Sequence, residues 1–409
     1  MRLLVVSQYF WPENFRINDL VAEFVKRGHE VTVLTGWPNY PDGKFFPDFL
    51  EHRDQFNEYK GAKVIRVPMI PRGHGGAWLL FNFISFALSA TFFGLWRLRT
   101  KKIDVIFAYE PSPITVGIPA AVMRIAKKAP FSFWILDLWP ETLQALGVVR
   151  SRFLLNLIGH MVSSIYKQCD LILAQSKSFI PQIARYAGVS RRVEYFPSWA
   201  ESVFDLHDVV AAPEVPVKSG SFNIMFAGNI GESQDFPAIL DAAEQLKGHA
   251  DIRWLIVGDG RMAEWVTAEI KKRALEPAVL MLGRYPVERM PSFFLHADAL
   301  LLSLKDEPIF AMTIPGKLQS YLAAGIPVLA MLNGEGSDVI HHADAGLTCP
   351  AGDHAALAEV VLKLSSMLPE ERKMMGLRGK TLSQNDFGRD KLIDKLEVWL
   401  EELQIRGDH

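Results

Sequence analysis

The sequence predicts an α/β protein built of two doubly wound domains. Short β-rich runs alternate with helical patterns along the whole chain, the signature of parallel sheets with helices on both faces. Several of these runs, such as VIFA at 105–108 and FSFWIL at 131–136, are apolar almost throughout, as strands covered on both faces are. A length of 409 residues is long for one such domain and comfortable for two.

In the first half, strands are expected near 2–6, 30–35, 62–67, 104–108, 131–137, 171–176 and 193–197, separated by helices near 16–28, 77–98, 113–127, 153–168 and 178–187. Leu20, Val21, Phe24 and Val25 form a helical stripe that stops at Gly28. The opening RLLVVSQYF is too short an apolar run for a signal peptide and reads as the first strand. In the second half, strands near 222–227, 253–257, 279–282, 298–304 and 327–331 alternate with helices near 235–247, 261–273, 286–295 and 316–324. Residues 201–220, rich in Pro, Ser and acidic side chains and without period, read as a linker. The expected domains are therefore 1–200 and 221–383. A C-terminal amphipathic helix in 384–409, with Leu392, Leu396, Trp399 and Leu403 on one face, is able to pack on either domain, including back on the first. Two such domains facing each other bring the carboxyl ends of both sheets to one cleft, where ligands of these folds bind.

Hydrophobic residues make up 49% of the chain and charged ones 22%, which excludes disorder. Two cysteines, Cys169 and Cys349, do not make a disulfide framework and fit a reducing compartment. A net charge of −2 gives no nucleic-acid signature. The halves differ, however: residues 1–200 hold 24 Lys and Arg against 15 Asp and Glu, a net of +9, and the remainder holds 20 against 31, a net of −11. The first half is suited to an anionic partner.

Residues 77–96, AWLLFNFISFALSATFFGLW, run 20 residues without a charge and are followed at once by RLRTKK. That length would span a bilayer core of roughly 30 Å. Asn82, Ser85 and Ser89 give it a narrow polar stripe, and it sits between two strands of one sheet, which a true span would tear apart. A monotopic helix lying in one leaflet, with Arg97, Arg99, Lys101 and Lys102 at the headgroups, fits better, with a buried core helix as the alternative.

The working centre is expected at 305–331, KDEPIFAMTIPGKLQSYLAAGIPVLAM. Ile314-Pro315-Gly316 opens a helix with Lys317 in its first turn. Free N–H groups there attract anions, and a lysine adds a point charge for phosphate. Glycine turns at 228–231 (GNIG), at Gly258 in GDGR and at 283–285 before Tyr285 mark successive strand ends of the same sheet; with Lys317 beyond them they point to a nucleotide-diphosphate site. In the first domain the loop after the first strand carries Glu13, Asn14 and Arg16, suited to an acceptor or to capping the next helix. Asp137, at the end of 131–137, is placed to be a general base or hydroxyl binder, or an N-cap. Glu110 is positioned similarly. No D-x-D, HExxH, CxxC or Walker A pattern is present, and His341-His342 reads as a surface pair, so no metal or other cofactor is expected.

Taken together, YFWPENFRIND, NYPDG at 39–43, ISFALSA at 84–90, DLWPE at 137–141, FPSWAE at 196–201, FAGNIG at 226–231, VGDG at 257–260, LGRYP at 282–286 and PGKLQSYLAAGIPVL at 315–329 resemble the GT-B glycosyltransferases of the large retaining family four. The likeness is strongest to bacterial O-antigen, capsule and colanic-acid transferases of the L-fucosamine transferase type. The resemblance implies a UDP-sugar held by the second domain and an acceptor held by the first. Uracil would lie near Arg284 and Tyr285, and the diphosphate against Gly228, Asn229 and Gly231 and the helix opening at Gly316-Lys317. It further implies retention, with attack on the face of departure and the leaving phosphate helping to take the acceptor proton. Asp137 would line the acceptor side with Glu141, where many relatives have a histidine.

Two departures from the family pattern stand out. The Glu-x7-Glu pair around the donor sugar aligns with Ala311 and Gln319, and the Arg/Lys pair for the diphosphate aligns with Asn229 and Gln234. Lys317, Lys305 and Arg284 would then carry the charge, with Glu307 and Gln319 on the sugar. Similar enzymes use an acceptor on undecaprenyl pyrophosphate at the inner leaflet of the bacterial inner membrane, which suits the 77–96 helix and its basic tail. A catalytically impaired sugar-nucleotide-binding subunit and a non-hydrolysing nucleotide-sugar epimerase are the competing readings.

Overall fold

The computed structural model describes all residues except His74, 206–208 and 408–409. The chain divides into two compact units, residues 1–197 with the C-terminal segment from Asp390, and residues 198–389.

The first unit runs β1 (Arg2–Ser7), α1 (Arg16–Lys26), β2 (Glu30–Gly36), α2 (Pro47–Glu51), β3 (Glu58–Tyr59), β4 (Ala62–Val67), α3 (Gly76–Leu98), β5 (Val105–Glu110), α4 (Gly117–Lys127), β6 (Phe131–Ile135), α5 (Glu141–Ala145), α6 (Arg152–Tyr166), β7 (Leu171–Ala174), α7 (Phe179–Ala187) and β8 (Val193–Tyr195). Its sheet has the order β3-β4-β2-β1-β5-β6-β7-β8, parallel except for the β3–β4 pair. The strand order reverses between β1 and β5, so the loops after Ser7 and Glu110 flank a topological switch point.

The second unit runs β9 (Phe222–Ala227), α8 (Phe236–Gln245), β10 (Ile252–Val257), α9 (Ala263–Lys272), β11 (Val279–Gly283), α10 (Met290–Phe294), β12 (Ala299–Ser303), α11 (Pro308–Ala311), α12 (Gly316–Ala324), β13 (Val328–Met331), α13 (Glu335–His342), β14 (Gly346–Cys349), α14 (His354–Ser366) and α15 (Pro369–Asp386). Its all-parallel sheet has the order β11-β10-β9-β12-β13-β14, with the switch point between β9 and β12. These two strands pair only through Ala299–Ile224 and Leu300–Met225. Beyond that point the Tyr321 hydroxyl of α12 meets the Ala227 N–H (3.0 Å) and C=O (3.2 Å), which satisfies backbone groups that β12 no longer reaches.

The final helix, α16 (Arg389–Gly407), returns to the first unit. Ile393, Leu396 and Leu400 are fully buried, and the Trp399 ring meets Phe196 edge-on with centroids 6.2 Å apart. Arg27 binds Asp394 (2.7 Å) and Glu397 (2.6 Å), and Arg192 binds Glu402 (2.8 Å). The acidic helix lowers the charge of its unit: the whole of it holds 27 Lys and Arg against 21 Asp and Glu.

The expected elements recur with shifted ends, and eight were missed: strands β3 and β14 and helices α2, α5, α11, α13, α14 and α15. The strand expected over 131–137 ends at Ile135, so Asp137 stands in the loop beyond it, whereas Glu110 is the last residue of β5 rather than a loop residue. The helix expected over 286–295 opens with a 3-10 turn, Val287–Arg289, because Pro286 and Pro291 flank it. Within the expected linker 201–220, a 3-10 turn spans Ser202–Asp205, and 206–208 lie outside the described residues.

Helix α3 is turned opposite to a soluble amphipathic helix. Its polar stripe faces inward: the Asn82 amide donates to the Ile70 carbonyl (2.6 Å) and accepts from Gln8 (2.8 Å), and Ser85 accepts from the Ile70 N–H (2.9 Å). Phe86 and Ala90 are buried beside them. Phe81, Ile84, Leu88, Phe92 and Trp96, spaced at three and four residues, face outward, with Leu88 67% and Phe92 68% exposed. By length and composition α3 is also apolar enough to cross a membrane.

Candidate donor and acceptor sites

In the second unit the chain places one cation at the switch point. Helix α12 starts where Pro315 fixes the N-cap, and it ends at Gly325 in the left-handed region, φ +70°. The first-turn N–H groups of such a helix lack carbonyl partners within it. Lys317, on this turn, carries its ammonium to 3.8 Å from the centre of the Phe226 ring. Although the residue as a whole is partly exposed, its charged end is enclosed, and burial pushes its pKa down to about 7. Gly228 makes room for it: a Cβ there would fall 2.5 Å from Lys317 Cε and 3.1 Å from Nζ, and the residue sits at φ +136°. An anion arriving at this point would meet a desolvated lysine and the open end of a helix together.

The expected phosphate cradle in GNIG is corrected by the hydrogen bonds. Gly228 N–H donates to Val257 O (2.9 Å), Ile230 N–H to Asp259 O (2.8 Å) and Gly231 N–H to the Gln234 side-chain oxygen (3.0 Å). Most of the turn's amides are thus committed, and the glycines serve close packing, since a Cβ at Gly258 or Gly260 would collide with the backbone of Gly228 or Ile230. Gln234 is spent as a cap of its own turn, and Asn229 lays its side chain over Gly260. Gln319 is likewise turned away from any ligand: it is fully buried, and its amide donates to the carbonyls of Pro315 and Gly316 (3.0 Å each). Ile314 is a core residue at 1% exposure. Arg284 is exposed just after β11, and Tyr285 packs on Phe293 with centroids 4.5 Å apart. Lys305 and Glu307 are partly exposed after β12; the Lys305 N–H ties this loop to Ser233 O (2.9 Å), and Glu307 precedes α11 as its N-cap.

In the first unit two carboxyls meet at the ends of β5 and β6. The Asp137 N–H donates to Glu110 Oε2 (3.2 Å). Asp137 Oδ1 accepts from the Thr142 hydroxyl (2.5 Å) and Oδ2 from Trp139 Nε1 (3.2 Å). Burial raises the Asp137 pKa despite these donors; burial and the neighbouring Asp137 charge raise that of Glu110 well above the carboxylate range. Glu110 Oε1 has no hydrogen-bond partner, as suits a carboxyl that stays protonated. Ser112, which also donates to Asp137, holds φ +96°, a strained value for a residue with a Cβ.

Glu13 is not a surface ligand. It is 3% exposed; Oε1 accepts from the N–H groups of Asn39 and Tyr40 (2.8 Å each) and Oε2 from Phe10 (3.1 Å). Burial nonetheless pushes its pKa up to about 7. It pins the β1 and β2 loops together. Arg66, missed in the sequence, does the same from β4 by donating to the carbonyls of Gly36 (3.2 Å), Phe56 (3.2 Å) and Trp11. Asn14 is exposed on the same loop, and the Arg16 N–H donates to the Tyr109 hydroxyl. Also missed was an aromatic platform on these loops: Tyr9 stacks on Phe15 (5.2 Å), both rings meet Tyr40, and the Arg72 guanidinium lies 5.3 Å from the Tyr40 ring. The clue was the density of aromatic residues in QYFWPENF and NYPDG. Glu141 turns elsewhere: Oε1 accepts from the Tyr186 hydroxyl (2.9 Å), and the residue lines a concavity with α6 and α7. Among the described residues no three His, Cys, Asp or Glu side chains are grouped to hold a metal ion.

Two parallel α/β units of this build are consistent with the GT-B architecture, and comparison with known proteins agrees. Residues 14–199 match the family described as a glycosyl transferase 4-like domain, and residues 221–367 match glycosyl transferases group 1. The chain belongs to the GT-B glycosyltransferases of the family-four type. It is 24% identical to a protein named as glycosyltransferase WbjE of Pseudomonas aeruginosa, over 70% of this chain and 72% of that one. It is 25% identical to a protein named as colanic acid biosynthesis glycosyl transferase WcaI of Escherichia coli K12, over 80% of this chain and 82% of the relative. Among solved structures, Anabaena HepE in complex with UDP superposes with a TM-score of 0.68 at 12% identity, covering 98% of this chain and 100% of that one.

Proposed function

We propose that this glycosyltransferase moves a hexose, N-acetylated or deoxy, from a UDP-sugar to a saccharide on undecaprenyl pyrophosphate, with retention, in bacterial surface polysaccharide synthesis. The observation that carries the donor half is the enclosed Lys317 ammonium at the switch point of the second sheet, beside the open end of α12. A diphosphate bound there restores the charge that burial removes, and the developing charge on the leaving group meets a fixed cation without a metal. The HepE complex with UDP supports a uridine nucleotide, and WcaI supports a polysaccharide product.

The first unit holds the acceptor. Asp137, its oxygens oriented by donors from Thr142, Trp139 and Ser112, would give up one of these bonds to receive an acceptor hydroxyl. In this scheme it positions that hydroxyl, and the departing phosphate takes the proton. The outward apolar face of α3, followed by Arg97, Arg99, Lys101 and Lys102, suits a helix lying in the inner leaflet, which brings the enzyme to a lipid-linked acceptor. The test is a thermal-shift screen of UDP-, GDP- and TDP-sugars with and without EDTA. Stabilisation by uridine nucleotides that EDTA leaves unchanged is the expected result; no shift with any nucleotide overturns the donor assignment.

A further inference from the structure

Helix α6 borders a concavity whose edge begins at Pro140 and Glu141, a few residues beyond Asp137. Its pocket-facing side joins α5 and α7 around a concavity of about 680 Å³. Arg152, Lys167 and Arg185 line it with His160, against the single carboxylate of Glu141. One oxygen of Glu141 is taken by Tyr186, and none of the three cations has an acidic partner within ion-pair distance among the described residues. Gly159 opens the floor, since a Cβ there would press on Tyr186 at 3.3 Å. Gln144 and Asn156 add amide donors at the wall. The pocket therefore offers positive charge and hydrogen-bond donors in excess of acceptors.

The neighbouring stripe of α6 is apolar and outward. Phe153 is 76% exposed, Leu157 59% and Leu154 47%. The segment leading into α6 runs beside the start of α3: a Cβ on Gly76 would touch Val148, itself exposed, and the Phe83 and Trp139 rings meet at 5.8 Å. A basic concavity edged by exposed apolar side chains matches a phosphate group joined to alkyl chains.

We propose that the pocket between α5, α6 and α7 binds the phosphate diester headgroup of an anionic phospholipid, with Phe153, Leu154 and Leu157 against its acyl chains. The assignment rests on the membrane reading of α3 and adds to it a second, charge-selective contact. Such a contact would make binding depend on lipid charge where the face of α3 depends on apolar area.

The test is co-sedimentation of the full chain with vesicles of phosphatidylcholine alone and of phosphatidylcholine with phosphatidylglycerol. It compares wild type, the variant Arg152→Gln/Lys167→Gln/Arg185→Gln, and a charge-matched control, Lys44→Gln/Lys60→Gln/Lys63→Gln. The pocket variant is expected to lose tenfold to hundredfold in affinity for the phosphatidylglycerol vesicles, on the order of what three basic contacts supply. It should keep its binding to phosphatidylcholine and its stabilisation by UDP, and the control should bind as wild type. Equal loss in variant and control, or no loss in either, overturns the pocket while leaving the α3 contact standing. Wild type that binds neither vesicle overturns both membrane readings, with UDP stabilisation still reporting the donor site separately. Inorganic phosphate that stabilises wild type but not the pocket variant, with equal vesicle binding by the two, assigns the pocket to a soluble phosphate and overturns the lipid.

Discussion

The ammonium of Lys317 lies 3.8 Å from the centre of the Phe226 ring, so the cation at the switch point of the second sheet faces a π-surface rather than a carboxylate. Such a contact recovers about 2 kcal/mol when desolvated, less than full hydration of the charge would, and the pKa falls to about 7 in consequence. Below that pH the folded protein holds a costly buried charge. As pH rises from about 7 towards the ordinary lysine value of 10.5, the folded state has shed a proton that the unfolded state keeps, so this group's penalty on folding is relieved across that window. Diphosphate binding runs the other way, because it needs the proton. UDP affinity is expected to fall as pH rises above about 7, by up to ~tenfold per unit. Lys317→Met should bind UDP weakly with no such slope. Calorimetry in buffers of different ionisation enthalpy measures the proton taken up, and a pH-independent wild type would refute the role.

Gly228→Ala tests the same spot through the backbone. The new methyl meets Lys317 Cε at 2.5 Å in a φ +136° conformation that an alanine resists, at a cost of about 1–3 kcal/mol. A lower melting temperature together with weaker UDP binding is expected; normal UDP affinity would show that the lysine need not sit where it does.

Asp137→Asn keeps the size of the side chain and the bond from Thr142, but replaces one acceptor oxygen with a donor amide facing Trp139. Transfer is expected to slow by about 10²-fold or more with UDP affinity unchanged. Steady-state kinetics on a lipid-linked acceptor decide it: unaltered kcat removes Asp137 from the reaction.

Glu13→Ala strips the partner from three backbone N–H groups of buried or half-buried residues. Each unsatisfied donor costs ~1–3 kcal/mol, so chemical denaturation should show a loss of several kcal/mol. Were stability unchanged and only acceptor KM raised, Glu13 would be a ligand after all.

Replacing Phe81, Ile84, Leu88 and Phe92 by Ser changes side chains that face out of the protein, although Phe81 also contacts Trp78 and Phe92 contacts Phe93. The variant is expected to leave the membrane fraction while retaining its melting temperature. Retention in that fraction would refute the interfacial role of α3.

The alternation of elements was legible because strand and helix periods differ and because parallel strands are apolar on both faces, as VIFA and FSFWIL are. Helix α12 was located at its exact bounds by Pro315 and Gly325, two residues whose backbone preferences act locally. Elements α13, β14 and α15 passed unnoticed because polar and apolar residues mix there without a clean period, and tertiary packing of residues such as Ile340 and Met375 determines them. Helix α14, by contrast, carries a helical stripe of Leu357, Val361 and Leu364 that was legible and overlooked. At the sites, Lys317 was identifiable from its place at a helix start. The fates of Glu13, Gln234 and Gln319 were not: each is a polar residue in a promising loop or turn whose hydrogen bonds close on nearby backbone.

By itself, then, the sequence determined the two α/β units, the order of most of their elements, the family and the place of Lys317 at a helix start, because these follow from local periodicity, turn chemistry and residue type. Only the tertiary structure decided which polar groups remain open to a ligand. It turned the polar stripe of α3 inward and its apolar face out, returned α16 to the first unit, and spent the amides of GNIG on neighbouring strands. The physical reason is that a buried donor or acceptor must find a partner. Which partner it finds depends on what the fold brings within about 3 Å, not on neighbours along the chain.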